Sequence, residues 1–223
     1  CGTSNKKHLN LLEKIVNLKF KMPTKTFLPA ITLILLLSTL GISNEKPNMD
    51  VPEKYRKWIE EEVIYIITAI EKNIFFQLET GKEKDLFIKA FWKNRDPTSG
   101  TQKNEYKIEH YRRIKYANEN FGRNSPGPGW KTDRGRIYIM LGEPRDIDRH
   151  IGEAGIYNTE VWFYQGLPEY GLPVGFNLVF FQKHGVGEFV LYSPTSDGPQ
   201  ALLTKYIGNP TNHLQAFRNL KKI

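Results

Sequence analysis

The residues of this chain best suited to chemistry are carboxylates set beside arginines. Asp96 follows Arg95, Asp133 precedes Arg134, and Glu143 lies close to Arg145. All three read as loop residues. Two of them meeting in a cleft would support general acid/base work, such as cleavage of a glycosidic bond. The competing reading of Asp133 is structural: an aspartate in a turn caps backbone amides, pairs with an arginine and fixes the entry into the next element. Spacing alone brings no two of these carboxylates together.

The stretch Pro126–Arg136, PGPGWKTDRGR, suggests a second chemistry. Glycines before a helix can cradle a phosphate, but a P-loop ends in Lys and Ser/Thr at a helix N-terminus that receives the anion. Here Gly127 and Gly129 lead to Trp130 and then to Arg136–Leu141, where Ile137, Ile139 and Leu141 alternate with Tyr138 and Met140. That alternation predicts a strand, which leaves no helix to face an anion. Metal and nucleophile patterns are equally poor. His110, His150, His184 and His213 form no HExxH, and Ser125 has Arg123 where a nucleophile elbow needs glycine. His110 falls on the apolar side of its helix, as a satisfied interior histidine would. No cofactor and no metal are implied. Trp130, Trp162, Tyr164 and Tyr170 could line a surface for a partner or a glycan; the plainer reading places Trp162 in the core and Trp130 as a plug at the sheet edge.

These residues need elements to hold them. All four Trp lie beyond residue 50, which puts the folded part there. Asp50-Val51-Pro52-Glu53 starts a helix, and Thr68…Glu71 and Thr80…Glu83 are capping boxes that start two more. The β-branched run Val63–Ile67 reads as extended or helical. Tyr106, His110, Ile114, Ala117 and Phe121 recur at helical spacing before Gly122. Strands are expected at Arg136–Leu141, Glu160–Tyr164, Phe176–Gln182 and Glu188–Tyr192, with a Gly-containing hairpin at residues 183–187. A helix follows from Asp197 to about Gly208, and another over residues 212–223. Helices followed by a strand meander give an α+β class: a three- or four-helix N-terminal layer on a four-stranded, mainly antiparallel sheet.

Charge and the N-terminus bound the location. Six lysines against one glutamate give residues 1–43 a net charge of +5, leaving only +3 of the total +8 for the remainder. That balance is ordinary, basic and acidic residues interleave, and nucleic-acid binding is not expected. Lys21-Met22-Pro23-Thr24-Lys25, the apolar run Phe27–Leu40 and the small residues Gly41 and Ser43 have the order of a secretory signal over residues 22–43. Met22 then reads as the start, with residues 1–21 a non-native upstream extension. The rival is an uncleaved anchor attaching residues 26–44 to a membrane, since about 20 uncharged residues span a bilayer. Residues 44–52 follow as a linker. Cys1 is the only cysteine, so the rest of the chain holds no disulfide or thiolate nucleophile.

Several motifs now fall into one order. Phe91–Pro97 (FWKNRDP), Asn104-Glu105, His110–Ile114 (HYRRI) and Tyr116–Asn118 precede Gly129-Trp130-Lys131-Thr132-Asp133, then Arg134–Arg136, Leu141–Pro144 (LGEP) and Glu160–Tyr164 (EVWFY). Over about residues 53–192 this resembles the GWxTD domain family. The resemblance implies an exported bacterial protein and no established enzymatic activity. The second half, with its Leu-Gly-x-Pro turn and Trp-x-Tyr strand, is also similar to small outer-membrane assembly lipoproteins of the BamE type. Residues 193–223 form a C-terminal helical tail beyond the domain.

The expectation is an exported protein of the periplasm or cell envelope whose domain is a non-enzymatic module for a protein partner or a neighbouring domain. The alternative is a hydrolase or carbohydrate-active enzyme using Asp133 with Asp96 or Glu143. The motif residues available for binding are Trp130, Thr132, Asp133, Arg134, Arg136, Asp96, Arg95, Glu143 and Trp162.

Overall fold

A computed structural model describes residues 51–166 and 173–204. The signal segment, the Asp50 cap, Tyr170 and the helix over residues 212–223 lie outside the described residues. Among the described residues, five α-helices precede a four-stranded antiparallel sheet, so the α+β class holds. The helices are α1 (Glu53–Lys57), α2 (Ala69–Gln77), α3 (Gly81–Asn94), α4 (Glu105–Phe121) and α5 (Asp133–Leu141). The strands are β1 (Asp146–His150), β2 (Thr159–Gln165), β3 (Gly175–Phe181) and β4 (Val190–Leu191), paired in that order.

The helix starts follow the caps. At Thr68 and Thr80 the hydroxyl accepts the N–H of Glu71 or Glu83, and that glutamate accepts the threonine N–H, closing both capping boxes. Asn104 caps α4 through the N–H of Lys107 and donates its amide to the Trp92 carbonyl at 2.7 Å, tying α4 to the end of α3. α1 runs into a π-helical turn (Trp58–Glu62), after which the Val63–Ile67 run is a turn, with Ile66 and Ile67 both donating to the Val63 carbonyl. Trp58 packs on Phe75 and Phe91, each at 5.2 Å, and Trp92 continues the aromatic contact to His110 on α4 at 5.5 Å.

The main departure from the sequence reading is α5. Arg136–Leu141, expected as a strand, lies inside a helix whose N-cap is Thr132. Ile137, Tyr138 and Ile139 are buried consecutively because this helix is covered on two sides. Ile139 packs with Ala117 and Trp130, while Ile137 and Tyr138 join Trp162, Tyr164, Phe180 and Phe189 over the sheet. Burying each such side chain is worth about 1.5–3 kcal/mol, against roughly 0.7 kcal/mol at most for poor helix propensity. Tertiary burial wins.

Four strands are present as expected, but Asp146–His150 replaces Arg136–Leu141 as the first. The register pairs Ile147 with Trp162 and Trp162 with Leu178. The hairpin glycines Gly185 and Gly187 adopt positive φ (76° and 90°), as the turn into β4 requires. β4 is only two residues long, and the helix expected from Asp197 is, within the described residues, a 3-10 turn over Pro199–Leu202. The helices that press on the sheet are α4, through Phe121, and α5.

Candidate functional site

The Gly129–Asp133 segment is a joint between α4 and α5. A Cβ on Gly129 would stand 2.0 Å from the Ala117 carbonyl oxygen, and one on Gly135 would stand 1.9 Å from the Gly129 oxygen. Only glycine permits both approaches. Trp130 is buried against Ala117 and Ile139, its N–H donates to Asn118 Oδ1 at 3.0 Å, and its carbonyl accepts the Tyr65 hydroxyl at 3.1 Å. Thr132 Oγ1 donates to the Gly129 carbonyl and accepts the Gly135 N–H, capping α5. Asp133 Oδ1 pairs with Arg136 at 3.0 Å, while Oδ2 accepts the Leu191 N–H at 2.8 Å. Trp130, Thr132 and Asp133 therefore all have structural partners inside the fold, and the Lys131 ammonium lies 5.0 Å from the centre of the Trp130 ring.

Beside this joint lies a cleft of about 440 Å³, walled by α4 (Tyr116, Asn120, Phe121), α5 (Arg134, Tyr138), the turn Glu143–Arg145, β1 and β2. The ring of Tyr116 stacks on Tyr138 at 4.4 Å. Glu160, on the same strand face as Trp162, is a buried carboxylate held by three groups: Arg134 Nη1 at 3.2 Å, Trp162 Nε1 at 3.0 Å and Arg149 Nε at 3.4 Å. The Arg134 guanidinium is itself clamped between Phe121 (5.0 Å) and Phe189 (4.3 Å), where its Nε is buried without a partner among the described residues. Burial, then Tyr138 and Glu143, push the Tyr116 phenol above its ordinary range, so it stays a neutral hydrogen-bonding group at neutral pH.

Of the residues nominated by sequence, Arg134, Glu143 and Trp162 meet at this cleft. Trp130, Thr132, Asp133 and Arg136 belong to the joint. Arg95 forks onto Glu71 with both terminal nitrogens at 2.8 Å and also donates to the Ile66 carbonyl; Asp96 accepts the Thr98 N–H in its own turn. Burial opposes the charge on Glu71, but the Arg95 fork and the Thr68 amide outweigh it and hold the carboxyl below its usual range. Asp96 and Asp133 thus sit in separate local networks, and neither lines the cleft that holds Glu143. His110 is buried, with Nε2 donating to the Glu62 carbonyl at 2.6 Å. Burial first, then the nearby arginines, lower its pKa. Among the described residues, no group of three His, Cys, Asp or Glu is placed to hold a metal ion.

Tyr116, Arg145, Asp146, Arg149 and Glu160 are cleft residues that the sequence reading did not nominate. A usable signal existed for Glu160, which shares the period-two phase of Trp162 and Tyr164 and so had to be a charge on a core-facing position, requiring a partner. Glu160 is engaged by two arginines and the Trp162 indole, and so anchors both cations in the cleft. Glu143 makes no hydrogen bond or ion pair among the described residues. The cleft carries fixed charges of both signs.

Comparison with known proteins agrees with the motif order. A DNA polymerase from Thermococcus litoralis is 38% identical over 78 residues, which are 34% of this chain and 4% of the polymerase. So small a share of that protein carries none of its activity across. No solved structure matches the chain. The pattern of the GWxTD domain matches residues 39–183, and the chain belongs to the GWxTD domain family.

Proposed function

We propose that this is an exported protein of the cell envelope whose GWxTD domain serves as a non-enzymatic interaction module. The observation that carries the reading is the placement of Asp133: both oxygens are engaged by Arg136 and the Leu191 amide, so the motif's own carboxylate holds the fold together. The basic, apolar and small-residue order of residues 21–43 supports export. The cleft lined by Tyr116, Glu143, Arg149 and Trp162 is the surface offered to a partner.

Crosslinking mass spectrometry on intact cells, with fractionation, tests location and partner together. The expected result is reproducible crosslinks from this chain to one envelope protein, with the chain in the envelope fraction. A cytoplasmic chain with no recurrent crosslink would overturn the proposal. The hydrolase alternative predicts turnover that Asp133→Asn abolishes at unchanged Tm.

A further inference from the structure

Three charged layers meet in the cleft. Deepest is Arg134, immobilised between two phenylalanine rings. It fixes Glu160, whose other oxygen draws the Arg149 guanidinium across the floor. Arg149 is the loosest member: its side chain is 56% exposed, its one contact is an ion pair at 3.4 Å through Nε, and its terminal nitrogens make no hydrogen bond among the described residues. A guanidinium held at Nε by a buried anion, with its terminal fork unengaged, is preorganised for a planar oxyanion taken up end-on. Arg145 lies four residues earlier, just before the same edge strand, lines the same cleft, and its side chain makes one hydrogen bond among the described residues, to Gln165 at 3.5 Å.

The remaining charges limit what can enter. Glu143 and Asp146 also line the cleft, Asp146 accepting the Ile147 N–H at 2.9 Å, so two arginines face two carboxylates and the mouth is close to neutral. A near-neutral mouth gives a dense polyanion such as nucleic acid little attraction, while a single guanidinium can still pair with an isolated negative charge. The stacked Tyr116–Tyr138 pair supplies a flat wall for the atoms that carry that charge.

We propose that the cleft is a receptor for a single carboxylate on a polypeptide partner, gripped by Arg149 with Arg145 beside it. This rests on the interaction reading above and assigns the partner's chemistry. The probe is the blocked tripeptide acetyl-Gly-Glu-Gly-amide, titrated into the ¹⁵N-labelled full chain while the Trp162 indole N–H resonance is followed, since that group bonds Glu160 directly. The indole signal is expected to shift and saturate, and the glutamine analogue of the peptide to leave it unmoved. Arg149→Gln is expected to weaken the titration at least tenfold with an unchanged Tm, because the side chain is mostly exposed. Equal shifts from both peptides, or full affinity in Arg149→Gln, would sink the assignment. Inorganic phosphate saturating at lower concentration than the peptide would overturn it in favour of a free-anion site. If wild-type crosslinks in cells persist in Arg149→Gln, the carboxylate assignment fails while the interaction reading stands. Absence of any wild-type crosslink overturns the interaction reading, whatever the titration gives.

Discussion

The carboxylate of Asp133, at the start of α5, accepts the backbone N–H of Leu191 at 2.8 Å across 58 residues of sequence. Leu191 pairs with β3 on one side only, so this side chain satisfies an amide of the sheet's last strand. Removing it in Asp133→Ala leaves that amide without its acceptor and frees Arg136. The expected loss is about 1–3 kcal/mol, a fall of roughly 2–12 °C in Tm for a chain of this size. Asp133→Asn retains an acceptor oxygen and loses only the partly exposed ion pair, worth at most about 1 kcal/mol. Thermal melts of the two variants measure this, and an unchanged Tm in Asp133→Ala would remove the structural role.

The glycines of the joint give a sharper contrast. Gly129→Ala and Gly135→Ala each drive a methyl into a backbone oxygen at 2.0 or 1.9 Å, beyond the 1–3 kcal/mol typical of an overpacked core, so losses of about 3 kcal/mol or more are expected. Gly127→Ala, whose new methyl would meet nothing nearer than Lys131 Cδ at 3.9 Å, serves as the control. Its stability should stay within about 0.5 kcal/mol of the parent. Urea denaturation of the three variants tests the ordering.

Arg134 and Glu160 are expected to be strongly coupled. Glu160→Ala strands a guanidinium clamped between Phe121 and Phe189, costing about 3–5 kcal/mol. Replacing both residues by methionine should cost less than the sum of the single changes. A double-mutant cycle by chemical denaturation reads this directly, and additive single effects would show that the pair is not coupled.

His110 gives the fold a dependence on pH. Its buried ring favours the neutral form, so its folded pKa lies below the ordinary 6.5. The stability it contributes is complete above 6.5 and is lost as pH falls through the folded value, because the unfolded chain binds the proton more readily. Tm measured from pH 7.5 down to 5 should fall more steeply for the parent than for His110→Gln, which keeps a donor for the Glu62 carbonyl. Parallel curves would exclude this histidine as the cause.

Much of the helical half was legible in the sequence because its signals are local. Thr68, Thr80 and Asn104 start helices through bonds to residues three positions on, and the spacing of His110, Ile114 and Ala117 follows one helix face. α5 was illegible for a tertiary reason. A helix pressed between α4 and the sheet buries Ile137, Tyr138 and Ile139 in succession, which erases the helical period and leaves what reads as alternation. Thr132 and Asp133 did carry a start signal, but Gly135 stood where a capping box has glutamate, and its presence answers to the Gly129 carbonyl. β1 was missed because Asp146, Asp148 and Arg149 are exposed, so no apolar alternation marks the strand. The cleft was legible only in part: Arg134, Glu143 and Trp162 were nominated, while Arg149 and Glu160 meet across strands whose pairing no spacing reveals.

The double burial of α5 has a consequence for how the domain comes apart. Ile139 is held in the packing around Trp130 and Ala117, and two neighbours on the same helix are held in the packing around Trp162 and Phe180. Phe121 touches both groups. Melting the helical side strips α5 from the sheet, and opening the sheet strips it from α4. The residues from Gly129 to Leu141 therefore act as a latch, and α4 and the sheet are expected to open together.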